Sequence, residues 1–114
     1  MAKIRLTAGS VSQTATLNDS KTARELLKIL PISSSARRWG KEVYFSIPLE
    51  MPSEEAVPEV PSGTVAYWPE GPALCIFFGQ TPYSPVSVVG TLDGDPEQFD
   101  QVGDGESVRV ESVE

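Results

Sequence analysis

The run ALCIFF, residues 73–78, is apolar at every position and is fenced by Gly71-Pro72 on one side and Gly79 on the other. A run this short between turn formers reads as a strand buried on both faces, one toward a barrel interior and one toward a helix. Alternating segments surround it. Val43, Phe45 and Ile47 mark a strand ending at Pro48, and residues 64–68, 86–92 and 107–113 supply three more. Nearer the start, Ile4, Leu6 and Ala8 alternate with polar residues, and Val11, Ala15 and Leu17 resume the alternation after Gly9-Ser10. Glycine first in a two-residue loop signals a type II′ turn, whose twist suits a hairpin. The nine glycines and ten prolines fall between such short runs. That is the pattern of many short strands, not of a helical bundle.

Two short helices interrupt the strands. Thr22 and Glu25 form a capping box, and Ala23, Leu26, Leu27 and Leu30 follow at helical spacing until Pro31 stops the segment, giving a helix over 22–30. A second is expected over 96–102, with Asp95 as N-cap, Pro96 at N1, Gln98 as the box partner and Gly103 just past the end. Helices of this length persist only when docked, so both are expected to plug the ends of a sheet or barrel. The Ser-rich segment after Pro31 reads as a turn, and residues 50–61, rich in Pro and Glu, read as a surface loop. The 114 residues show no linker and no repeat, and form a single domain over 1–114.

Net charge is −7, a poor match to nucleic acid or to an anionic membrane. Through Lys41 the chain carries eight basic and two acidic residues; beyond it, one basic and fourteen acidic. The plain reading is a solvated bipolar surface. The sharper one is a basic patch at Arg37 and Arg38 that attracts a carboxylate. Cys75 is the one cysteine, so there is no intramolecular disulfide and no cysteine metal cluster; its apolar neighbours suggest a buried, inert thiol. The start does not resemble a signal peptide, and no apolar run approaches about 18 residues, so a reducing cytoplasm is the expectation. Histidine is absent, which removes the commonest general base, the usual catalytic triads and the main zinc ligand. Asp93, Asp95, Glu97 and Asp104 approach the spacing of a calcium loop, but Gln98 stands where that loop needs glycine. GQTPYS has no phosphate-binding lysine. No metal ligand, cofactor or catalytic residue is therefore assigned.

The strings WGKEVYFSIP (39–48), AYWPEGPALCIFFGQTP (66–82), VVGTL (88–92) and DGESVRV (104–110) together resemble the small prokaryotic cyclophilin-like proteins of unassigned function. The resemblance runs through nearly the whole chain in order. It implies an all-β fold, a closed cyclophilin-like barrel with two short capping helices, related to the peptidyl-prolyl isomerases. It also implies that Phe78 walls the pocket that holds proline in cyclophilins, with Phe77 facing the opposite way. The catalytic set does not carry over. Cyclophilins place an arginine on the strand similar to 43–48, where this chain has Phe45. Their pocket histidine is replaced here by Val86 or Ser87.

The expected function is therefore binding of an extended peptide or small ligand without strong catalysis. The alternatives are a prolyl isomerase using Arg37 or Arg38 from an altered position, and an interaction or oligomerisation module that offers a strand edge. Arg38, Tyr44, Phe78 and Tyr83 are the candidate ligand-binding residues, with Trp39 and Trp68 able to join them in one aromatic groove. Tyr44 is included because Val43, Phe45 and Ile47 already supply the apolar face of its strand. Glu42, near Arg38 in sequence, reads as half of a surface ion pair. No oligomeric state follows from these features.

Overall fold

A computed structural model describes residues 2–113. Its strands are β1 (Lys3–Ala8), β2 (Val11–Leu17), β3 (Ile32–Ser35), β4 (Arg37–Arg38), β5 (Glu42–Ser46), β6 (Thr64–Trp68), β7 (Ala73–Phe77), β8 (Ser87–Leu92) and β9 (Ser107–Val113). All pair antiparallel in one sheet, in the order β3-β9-β1-β2-β8-β6-β7-β5-β4. The sheet curls until β3 comes beside β5, where the Ser34 hydroxyl donates to the Ser46 carbonyl at 2.8 Å. The result is a nearly closed barrel, the all-β architecture expected from the alternation.

The first hairpin forms as its sequence requires. Ala8 pairs with Val11 across the two-residue loop, and Gly9 takes a φ of +58°, a conformation that costs glycine nothing. Ile4, Leu6, Ala15 and Leu17 then point inward and join Val43, Phe45, Val65, Leu74 and Ile76 in one core. Full burial of each large side chain there contributes about 1.5–3 kcal/mol.

Both helices are present, and the N-cap of the first differs from that expected. Helix α1 spans Lys21–Lys28, and its N-cap is Ser20, whose hydroxyl accepts from the Ala23 amide. Thr22 lies inside the first turn. Its amide and hydroxyl, with the Lys21 amide, donate to the carboxylate of Glu54, which reaches in from the 50–61 loop. Those bonds hold the Glu54 carboxyl below its usual range. Glu25, the expected box partner, instead pairs with Lys28 at 2.8 Å.

The second helix is a 3₁₀ helix over Pro96–Gln101, capped by Asp95 as expected. Gln98 is not a capping partner: Gln13, buried on β2, donates to the Gln98 side chain at 3.0 Å and to the Asp95 carbonyl at 2.9 Å. Gly103 follows the C-cap Val102, just past the end as expected, but without the positive φ of a left-handed cap. Leu26 of α1 and Phe99 of the 3₁₀ helix are fully buried in the barrel core, so both helices plug it.

Two further expectations are corrected. The Ser-rich segment after Pro31 is strand β3, not a turn, because Ile32 packs in the core while Ser33, Ser34 and Ser35 pair with β9. The second face of β7 meets no helix; it carries Cys75 and Phe77, which pack with Ala66 and Val86 in a separate apolar cluster. The 50–61 loop is irregular except for a bridge between Val57 and Val86. Among the described residues, no helix is long and apolar enough to cross a membrane.

Candidate functional site

Strand alternation decides what lies outside the barrel beside β7. Residues directly opposite in an antiparallel pair project to the same face. Glu42 pairs with Phe77, and Tyr44 pairs with Cys75, which pairs in turn with Ala66. Val43 and Phe45 project inward, so Glu42 and Tyr44 project outward beside Cys75 and Phe77. The sheet alone therefore builds a floor with one carboxylate, one thiol and one phenol on apolar ground.

Turns and loops add walls to that floor, producing an open cleft of about 150 Å³. Trp39 comes from the turn joining β4 to β5, Trp68 from the end of β6, and Pro82, Tyr83 and Ser84 from the connection between β7 and β8. The rings meet in sequence at right angles. Trp39 and Tyr83 lie 5.9 Å apart at 82°, Tyr83 and Trp68 6.4 Å apart at 83°, and Trp68 and Tyr44 6.5 Å apart at 80°. The Trp68 indole N–H donates to Ser84 Oγ at 2.7 Å, which fixes that ring. The wall carrying Tyr83 is tied across to the opposite turn by Gln80, whose side-chain carbonyl accepts from the Lys41 amide at 2.6 Å. Gly40, with φ +58°, makes room for it: a Cβ there would stand 2.1 Å from the Gln80 oxygen.

The electrostatics of the floor are unusual. Glu42 is only 6% exposed, and burial raises its carboxyl pKa above the ordinary value despite a hydrogen bond from the Cys75 thiol. The same burial, with the neighbouring carboxylate, drives the Cys75 pKa well upward, so the thiol stays protonated and serves as a donor. Glu42 is not paired with Arg38, contrary to the sequence reading, and belongs to none of the ion pairs among the described residues. Its backbone bonds reciprocally with that of Trp39, while Arg38 pairs with Val43, whose side chain faces inward, so strand parity puts Glu42 and Arg38 on opposite faces.

The four sequence candidates separate into two places. Tyr44 and Tyr83 line the cleft, with Trp39 and Trp68. Arg38 and Phe78 meet each other at the barrel end, where the guanidinium carbon sits 5.1 Å from the centre of the fully buried Phe78 ring. Arg38 also donates to the carbonyls of Gly40, Asp100 and Val102 and pairs with the Asp100 carboxylate at 3.0 Å. Its guanidinium fork is thus spread over groups of the protein itself. Glu42, Cys75 and Phe77 were not singled out from sequence as cleft residues, although their places follow from the register that faces Tyr44 outward. Among the described residues, no cluster of three or more His, Cys, Asp or Glu side chains is arranged to hold a metal ion.

The cyclophilin-like family sequence profile matches residues 2–111. The chain belongs to the cyclophilin-like family. The solution structure of the hypothetical protein AF2241 from Archaeoglobus fulgidus is similar with a TM-score of 0.84 and 33% identity, over 98% of this chain and 95% of that one. McbB, solved in complex with tryptophan, shares the fold with a TM-score of 0.67 at 20% identity, over 95% of this chain and 44% of that one. No protein of curated function matches the chain. Within this cyclophilin-like barrel, Phe45 is fully buried in the core. The position that resembles the cyclophilin arginine thus presents a hydrocarbon ring to the barrel interior.

Proposed function

We propose that this protein is a binding domain whose outer-face cleft receives a small, ring-sized group, carried by a small ligand or by a side chain of an extended peptide, without strong catalysis. The observation that carries this reading is the convergence of four aromatic rings on one cavity, two of them held out in water. Trp39 is 44% exposed and Tyr83 77% exposed. Large apolar side chains gathered in an open concavity mark contact sites, because their exposure disfavours the free state and is relieved by a ligand. A cavity of this size holds a benzene-sized group. An extended peptide would have a strand edge nearby, since β4 ends the sheet order and its Arg37 pairs with Tyr44.

Strong prolyl isomerase activity needs a free donor aimed at the twisted amide. Arg38 has its donors engaged at the barrel end, and the cleft lining holds no cationic donor: its charged group is the Glu42 carboxylate, which accepts. A net charge of −7 argues for a partner that is neither nucleic acid nor an anionic membrane. A buried lone thiol suits a reducing cytoplasm. The test is a crystallographic soak with indole, phenol and proline-amide fragments. Density between Tyr44 and Tyr83 is the expected result. Fragments bound only at the barrel end beside Arg38 would overturn the assignment.

A further inference from the structure

We infer that the group this cleft accepts is the methylated ammonium of a small organic cation, held over the aromatic rings with Glu42 as its counter-charge. The inference rests on the binding reading above and names the ligand class. Aromatic rings carry negative charge density on their faces and attract cations placed over them. Stacked rings would hide those faces on one another. Here each of Trp39, Tyr83, Trp68 and Tyr44 stands nearly perpendicular to the next and all four line one cavity, so no two of these neighbours are stacked face to face.

Glu42 supplies the second, independent observation. A carboxylate taken out of water is costly unless a cation or several strong donors accompany it. Glu42 lines the cleft, is almost fully buried and has the weakly donating Cys75 thiol as its side-chain partner. A cation in the cleft completes that arrangement. The rim has the same sign, for Ser84 Oγ lies 3.4 Å from a Glu70 carboxylate oxygen. The nearby basic groups do not fill the role. Lys41 extends toward Glu97, Arg38 is committed at the barrel end, and Arg37, across the strand pair from Tyr44, is exposed and lies outside the cleft lining. Methylation follows from the lining chemistry. A primary ammonium could bond Glu42 through one or two of its N–H groups but would leave the rest facing rings and hydrocarbon without their water partners, whereas a fully methylated ammonium has no N–H to satisfy.

Choline and its uncharged carbon isostere, dimethylbutanol, have nearly the same shape and differ in charge, so titrating both by calorimetry isolates the cation. The unmodified protein is expected to bind choline about tenfold or more tightly than the isostere. Glu42→Gln, which keeps the shape and removes the charge, is expected to abolish most of that preference by weakening choline more than the isostere. Tyr83→Leu keeps an apolar wall at an exposed position on which folding does not depend, and should weaken choline selectively. Equal affinity for choline and the isostere would overturn the cation assignment and leave the binding cleft standing. Failure of choline, the isostere and indole alike would overturn both. Choline selectivity that survives both substitutions would place the cation elsewhere and likewise overturn the inference.

Discussion

Glu42 and Cys75 show how two adjacent strands can bring a carboxylate and a thiol together on one apolar face. Burial holds the Glu42 pKa above 4.5, so the folded state keeps this proton to higher pH than the unfolded chain does. The contribution to stability is fully present below that value and is lost as pH rises through the raised one. Glu42→Gln is therefore expected to flatten the fall in stability above pH 4.5, read from urea melts across a pH series; an unchanged slope would place the charge in solvent. Cys75, 1% exposed and with its pKa driven upward, is expected to resist a thiol reagent until the protein unfolds. Rapid stoichiometric labelling of the native protein would contradict this. Gly40→Ala should cost about 1–2 kcal/mol from the left-handed backbone alone. It should also loosen the Tyr83 wall by displacing Gln80, so weaker ligand binding accompanies the loss of stability. The burial of Cys75 was legible from its apolar neighbours. The isolation of Glu42 was not, because closeness in sequence suggested Arg38, whereas strand parity sets Glu42 beside Tyr44 on the outer face.

The elements were legible to different degrees because their signals differ in range. Strand alternation is local, and it located the first hairpin and the strands from Glu42 onward. Caps depend on distant groups. Thr22 looks like an N-cap until Glu54, far along the chain, takes its hydroxyl, and Ser20 serves instead. Strand β3 was missed because three serines carry little apolar signal and their order comes from pairing with β9. Long-range ties of this kind also give the fold an acid sensitivity. The Asp93 carboxylate accepts from Lys3, Thr14 and Thr16, fastening the segment after β8 to the first hairpin, and those bonds pull its pKa down to about 2. Its stabilisation is present above the ordinary value of 3.8 and is lost as pH falls from there through 2. Asp93→Asn is expected to remove that acid limb from the stability profile; an identical profile would show the three bonds to be without weight.

For the whole molecule, the barrel belongs to the cyclophilin-like family, while its aromatic cleft lies outside the barrel wall. The barrel end resembling the proline pocket is filled by Phe78 under Arg38. Strong acceleration needs interactions specific to the twisted amide, so an apolar wall alone lowers KM without raising kcat. A protease-coupled proline-peptide assay is accordingly expected to show no turnover near cyclophilin level for the native protein, Arg37→Ala or Arg38→Ala. Turnover abolished by either substitution would reinstate the isomerase. The central claim is the place of binding, and both tryptophans of the chain stand in the cleft. Their indole N–H resonances therefore form a built-in probe during a choline titration followed by proton–nitrogen NMR. The expected result is that both indole signals move together along one binding curve while the Arg38 guanidinium signal stays still. Indole signals that hold their positions while Arg38 moves would contradict the account.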